Sequence, residues 1–275
     1  MRGRACEPEY LRGVTSAESP DAIEPTARAA EAKPVTDVGF AYILGRVVIA
    51  PLARAIYLPH IEGKKNVPRT GPVIFASNHL SFIDSFAIPL AAPRAVQFLA
   101  KSSYFEGTGV SGWMAREFFS ALGANPVERG AGQAALDALD QQRRMLEAGK
   151  AIALYPEGTR SLDGRLYKGR TGVAFLALQT GAPVVPVGLL GTNEAMPVGA
   201  KFPRVRPRVT IKFGEPLDLT PHGPATSGKA RRLATDDIMA AIHALSGQEL
   251  AGVYNEVPAQ GPIERIKQVL PHERR

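Results

Sequence analysis

Residues 72–84 read Pro-Val-Ile-Phe-Ala-Ser-Asn-His-Leu-Ser-Phe-Ile-Asp. An apolar run short enough for a buried strand ends in Ser77-Asn78, and a second apolar run begins at Phe82. The pattern predicts strand, turn and helix, with strand 72–77 leading to helix 82–90. His79 and Asp84 stand at the turn. On one continuous helix, positions five apart sit roughly 140° from each other and do not meet. They meet if His79 lies in the turn and the helix begins near Ser81, a good N-cap residue. Asp84, in the first helical turn, then accepts from one imidazole nitrogen and leaves the other to take a proton from a hydroxyl. With five His and nine Asp in the chain, chance supplies this spacing in about one such sequence in six, so the pair needs support elsewhere.

Outward from this stretch, strand-like runs alternate with helical patterns. Strands are predicted over 72–77, 95–100, 151–155, 183–190 and 209–213. Helices are predicted over 82–90, 112–120, 133–148, 171–180 and 230–245. The alternation implies an α/β fold, a central mixed and largely parallel sheet flanked by helices. Residues 1–37, rich in Ala, Glu, Pro and Arg, have no apolar periodicity and no signal-peptide core, and are expected to be a disordered tail. Residues 38–59 are apolar except for Arg46 and Arg54. Those two arginines and Pro51 argue against a simple transmembrane helix. Two readings stay open for this N-terminal helix: interfacial on a bilayer, or packed on the core. Residues 249–275 are expected to be a C-terminal tail with a short helix over 262–270, leaving 38–248 as the folded domain.

A second cluster follows the predicted strand 151–155. It reads Tyr155-Pro156-Glu157-Gly158-Thr159-Arg160-Ser161. Strand ends of this kind are where α/β proteins bind ligands. Gly158 permits close backbone approach, and Arg160 offers a planar fork suited to phosphate. Lys168 and Arg170 stand near the next helix start, which favours anions. The alternative for this segment is a turn held by a Glu157–Arg160 ion pair.

Composition narrows the partners. The chain of 275 residues carries a formal charge of +7. Residues 1–37 hold five basic and seven acidic side chains, so the remainder holds 28 against 19. A basic body fits phosphorylated substrates or anionic lipid. Nucleic acid is disfavoured, because the basic residues are scattered and no nucleic-acid motif accompanies them. Arg204, Arg206 and Arg208 would share one face of a strand and could meet anionic headgroups or the phosphates of an acyl carrier. One cysteine, Cys6, excludes an intramolecular disulfide and a cysteine zinc site. No second ligand completes a metal shell around His79, so no metal is expected. Gly107–Gly112 matches G-x-G-x-x-G, but the segment before it is a poor strand, which disfavours a nicotinamide site. No serine sits in a G-x-S-x-G elbow.

Four blocks in order, NHLSFID (78–84), GANPVER (123–129), YPEGTRS (155–161) and VVPVGL (184–189), resemble the glycerophospholipid acyltransferase family, and most closely its lysophosphatidic acid acyltransferases. The resemblance spans roughly residues 60–215. It implies the glycerol-phosphate acyltransferase fold, with His79 and Asp84 as catalytic dyad. It also implies that Arg129, Glu157, Gly158, Thr159, Arg160 and Lys168 bind substrate, and that the proline block lies on the acyl-donor side. The implied reaction moves an acyl group from acyl-CoA or acyl carrier protein, as co-substrate rather than cofactor, to 1-acylglycerol 3-phosphate. Glycerol 3-phosphate, a lysophospholipid or a glycolipid are alternative acceptors, and a non-enzymatic lipid-binding protein is a distant alternative. The expected location is the cytoplasmic face of a membrane, peripheral or monotopic. Pro126 departs from the family's second block, where an aromatic or aliphatic residue is usual.

Overall fold

The strand β2, Val73–Ser77, has all five residues buried. A strand covered on both faces belongs in the middle of a layered α/β structure. The computed structural model describes residues 40–127, 132–200, 202–206 and 208–256 of the chain. The described residues all belong to one unit, Val35–Arg275. The expected tail 1–37, Arg129 and the expected helix 262–270 lie outside the described residues.

In chain order the elements are α1 (Phe40–Tyr57), β1 (His60–Glu62), β2, α2 (Asp84–Ala91), β3 (Phe98–Lys101), α3 (Gly109–Ala121), β4 (Ala124–Val127), α4 (Gln133–Glu147), β5 (Ala151–Leu154), α5 (Gly172–Thr180), β6 (Val184–Leu190), α6 (Thr192–Ala195), β7 (Thr210–Phe213) and α7 (Gly228–Ser246). The main sheet has the order β1-β7-β6-β2-β5. All neighbours are parallel except β6 and β7. Strands β3 and β4 form a parallel pair, which a bridge from Gln97 to Ile152 attaches beside β5. The mixed, largely parallel sheet is therefore as expected.

Strand β2 shows how the layers form. Val73 and Phe75 join the core that includes Ile88 of α2, while Ile74 and Ala76 join the core that includes Met145 of α4 and Leu176 of α5. Period-two alternation sends each set to its own helical layer. Two strands escaped the sequence. β1 has three residues, and β4 reads Ala-Asn-Pro-Val, which resembles a turn. Pro126 is compatible with β4 because that strand pairs on one side only, with β3.

For α1 the structure shows contact with the core on one side and exposed apolar side chains on the other. Arg54 donates to the Leu90 carbonyl at the end of α2, so α1 packs on the core. Val48, Leu52 and Ile56, spaced by four, remain exposed on the other side. No described helix is long and apolar enough to cross a membrane. The basic stretch around Arg204 and Arg206 is loop, not strand, since β7 starts at Thr210. The segment after α7 differs too: Leu166 N–H donates to the Glu249 carbonyl and Ala251 N–H to the Leu166 carbonyl, so 249–256 is docked rather than a free tail.

Helix α7 sits directly on β6 at Gly188, where a Cβ would lie 2.7 Å from Leu245 Cβ and 2.9 Å from its carbonyl carbon. Gly188→Ala is therefore expected to destabilise the protein by roughly 1–3 kcal/mol, since backbone must move to admit the methyl group. Denaturant unfolding measures it, and an unchanged midpoint would contradict the tight helix–sheet seat.

Candidate active site

The site lies at the carboxyl ends of β2 and β5, adjacent parallel strands whose register pairs Ala76 with Leu154. That register brings the turn after β2 beside the turn after β5. Asn78 extends the sheet past the end of β2 with its side chain. Its Nδ2 donates to the Leu189 carbonyl and its Oδ1 accepts from Leu189 N–H, both at 2.8 Å. A buried amide that imitates a peptide in this way holds the next residue in place. The next residue is His79. The sequence reading noted Asn78 but gave it no role; its place at a strand end, before a histidine, was the available signal.

His79 Nδ1 lies 2.9 Å from Asp84 Oδ2, and the same oxygen accepts from Leu80 N–H at 2.6 Å and Ser81 N–H at 2.7 Å. The dyad forms as the spacing required, with the histidine in the turn. Its helix start differs from expectation: α2 begins at Asp84, and the Asp84 carboxylate reaches back to the turn's N–H groups. Ser81 is not the N-cap; its hydroxyl donates to the Met196 carbonyl. With an acceptor-only oxygen facing it, Nδ1 carries the proton, and Nε2 bears the lone pair that a general base needs. The His79 side chain is 14% accessible and that of Asp84 fully buried. Tyr155 stacks on the imidazole, with ring centroids 3.8 Å apart and 11° between planes. Its hydroxyl donates to Ser85 Oγ at 3.4 Å, linking the ring to the helix that carries Asp84.

Glu157 is placed differently from its expected role. It is fully buried, and its two oxygens accept from His79 N–H and Tyr167 N–H, each at 3.0 Å. These donors are backbone groups of the two flanking segments, in place of the ion pair with Arg160 that the segment offered. The Glu157 carboxylate clamps the turn that carries His79 to the segment that carries Lys168. Arg170 N–H donates to the Pro156 carbonyl at 2.7 Å, completing the alignment of 167–170 with 155–158. Gly158 adopts φ +79° and lies under the Arg170 side chain, where a Cβ would meet Cδ at 3.2 Å. Gly158, Arg160, Lys168 and Arg170 are exposed and Thr159 partly so, giving a cationic rim beside the dyad. Strand β4 ends at Val127, ahead of Arg129, which lies outside the described residues. The proline block, Val184–Leu189, is buried in β6, and its link to the site is the Asn78–Leu189 pair. Gly107–Gly112 follows a 3-10 turn, Ser102–Tyr104, and Gly107 O lies 2.0 Å from where a Cβ of residue 112 would stand. Those glycines serve a tight turn into α3.

An apolar cavity of about 250 Å³ has Ile83, Phe86, Leu90, Tyr57, Phe118 and Ile211 among its walls, while neither His79 nor Asp84 lines it. Ile83 is the immediate neighbour of Asp84.

Residues 59–190 match the Acyltransferase family model. The matched stretch is a little under half of the chain. Curated relatives include the chloroplastic 1-acyl-sn-glycerol-3-phosphate acyltransferase BAT2 of Brassica napus, 34% identical over 146 residues, covering 53% of this chain and 41% of that protein. The chloroplastic LPAT1 of Arabidopsis thaliana, with the same activity in its name, is also 34% identical, over 53% of this chain and 39% of its own length. The chain thus spans less than half the length of these relatives. Among solved structures, the 1-acyl-sn-glycerophosphate (LPA) acyltransferase PlsC of Thermotoga maritima superposes with a TM-score of 0.54 at 26% identity, covering 71% of this chain and 76% of that one.

Burial, the largest influence, pushes the Glu157 carboxyl up from 4.5 to about 7; the Tyr167 and His79 N–H donors oppose it, and the Asp84 and Asp163 charges reinforce it. A carboxyl raised on folding binds its proton more tightly in the folded chain. Between pH 4.5 and about 7 the unfolded chain has lost that proton and the folded chain has not, so this group's contribution to stability falls across that window and levels above it. Wild-type stability relative to Glu157→Gln is therefore expected to decline from about pH 4.5 to about pH 7 in urea unfolding at stepped pH. A difference that does not change with pH would show that Glu157 does not titrate there.

Proposed function

We propose that the protein transfers a fatty acyl group from an acyl thioester to the free hydroxyl of 1-acylglycerol 3-phosphate, producing phosphatidic acid. The observation that carries this reading is the His79–Asp84 pair, with Nε2 left free of Asp84, beside a rim of Arg160, Lys168 and Arg170. The names of the plant relatives and of the Thermotoga maritima structure support the same acceptor.

Nε2 removes the proton from the acceptor hydroxyl as its oxygen attacks the thioester carbonyl carbon. The oxyanion formed collapses, the carbon–sulfur bond breaks, and the imidazolium returns its proton to the departing thiolate. Asp84 Oδ2 holds the tautomer throughout and stabilises the positive ring. A positioned base contributes roughly 10²–10⁴ in rate. The thioester is already activated, so the chemistry asks for no metal. The phosphate of the acceptor belongs on Arg160 and Lys168, with Arg129 as a further candidate from the family pattern. An acyl chain entering beside Ile83 has the apolar cavity to occupy, and the donor is acyl-CoA or acyl carrier protein.

The acceptor is a lipid, and the surface suits a bilayer leaflet. α1 and α3 pack together. α1 leaves Val48, Leu52 and Ile56 exposed, and α3 leaves Val110, Trp113, Met114 and Phe118 exposed. Phe202 and Val205 project from a loop that also exposes Arg204, Arg206 and Arg208. Apolar side chains mixed with cations fit the headgroup boundary of an anionic leaflet, so the protein sits peripherally on one face of the membrane.

His79→Ala is expected to lower acyl transfer by at least about 10²-fold while circular dichroism stays unchanged; thiol release from acyl-CoA with 1-acylglycerol 3-phosphate measures it, and wild-type turnover would remove the dyad. Trp113, the sole tryptophan and 56% exposed, reads out the membrane face directly. Vesicles containing anionic lipid are expected to shift its emission to the blue and brominated acyl chains to quench it. Emission that ignores vesicles to which the protein demonstrably binds would place the contact elsewhere.

A further inference from the structure

The peptide group joining Arg160 to Ser161 is held on both edges. Its N–H, on Ser161, donates to the His79 carbonyl at 2.7 Å. Its C=O, on Arg160, accepts from Asn255 Nδ2 at 3.1 Å. One edge is thus tied to the catalytic turn and the other to the segment after α7, which lies beyond the family match ending at residue 190.

That segment is laid along the 160–170 loop by a run of bonds. Gln248 Nε2 donates to the Gly164 carbonyl at 2.7 Å. Leu166 N–H donates to the Glu249 carbonyl at 2.8 Å, Ala251 N–H to the Leu166 carbonyl at 2.9 Å, and Lys168 N–H to the Val253 carbonyl at 2.9 Å. The Asn255 carbonyl accepts from Arg170 Nη2 at 3.3 Å, and the Tyr254 ring lies 5.9 Å from the Arg170 guanidinium. Arg232 Nη1 holds the Tyr254 hydroxyl at 3.1 Å and the Gly169 carbonyl at 2.9 Å, so α7 anchors the strap. Each cationic residue of the rim is hydrogen-bonded to the strap, Arg160 as acceptor through its carbonyl, Lys168 and Arg170 as donors through backbone N–H and guanidinium.

We propose that residues 248–256 complete the acceptor site, and that Asn255 is a positioning residue which fixes the backbone of Arg160 relative to His79. The proposal rests on the reading of Arg160 as the acceptor's phosphate ligand. Fixing both edges of the 160–161 peptide sets the direction in which the Arg160 side chain departs, and with it the distance from bound phosphate to the imidazole. The ligand class is a phosphomonoester dianion carried on a glycerol backbone.

A double-mutant cycle on the full chain tests it, with acyl-CoA and 1-acylglycerol 3-phosphate as substrates. Asn255→Ala is expected to raise the acceptor KM roughly three- to tenfold, with a smaller change in kcat and an unchanged donor KM, the loss of one hydrogen bond being worth about that factor. Arg160→Ala should raise the acceptor KM on the order of 10- to 100-fold. In the double variant Asn255→Ala should add nothing further, because the side chain it positions is gone. Multiplying effects, or an unchanged KM in Asn255→Ala alongside a raised KM in Arg160→Ala, would overturn the proposal. So would a lowered melting temperature in Asn255→Ala with KM unchanged, which is the signature of a structural strap. An unchanged KM in Arg160→Ala is a separate outcome: it removes the phosphate reading and the proposal with it.

Discussion

One carboxylate oxygen, Asp84 Oδ2, accepts three donors: the His79 ring and the N–H groups of Leu80 and Ser81. The site depends on this sharing. The two backbone bonds close the turn between β2 and α2, and the ring bond selects the imidazole tautomer. Bonds to a charged acceptor are worth about 1.5–3 kcal/mol each, so one residue both shapes the loop and sets its chemistry. Removing the carboxylate would orphan two N–H groups in a buried turn at the same time as it freed the ring.

A second buried carboxylate does for the neighbouring turn what Asp84 does for its own. Glu157 takes one N–H from His79 and one from Tyr167, so the His79 turn and the 167–170 segment are held by a single side chain. The parallel register of β2 and β5 makes this possible, since it ends both strands at the same level. Asn78 adds the third tie, to β6. His79 is thus held by the buried side chains of Asn78, Asp84 and Glu157, and its ring is covered by Tyr155. Such a histidine has few alternative rotamers, which is what a general base with a fixed partner requires.

Polar and apolar work are separated around this centre. The cationic rim lies on the segments after β5, and the strap from α7 reaches the same rim. The apolar cavity opens between α1, α2 and the β1–β7 side of the sheet. The acceptor proposed above would use this division, with phosphate on one side of the hydroxyl and hydrocarbon on the other.

Composition and spacing carried much of this before any coordinates. The alternation of apolar runs gave the strands β2, β5, β6 and β7 and the flanking helices, because buried parallel strands need continuous apolar stretches. The H-x4-D spacing forced the histidine into a turn, since a helix would have kept the pair apart. The fold then settled what spacing could not. Whether Glu157 faced ligand or core depended on where His79 N–H and Tyr167 N–H came to rest, donors 78 and 10 residues away. Strands β1 and β4 were too short and too polar or proline-bearing to register as strands, and exist because neighbouring strands offer free edges. The strap over Arg160 was unreadable for a similar reason: backbone hydrogen bonds hold it, and these are the same for every residue type. The sequence determined which side chains could do chemistry; only the tertiary structure decided which would meet, because meeting is fixed by the register of strands distant along the chain.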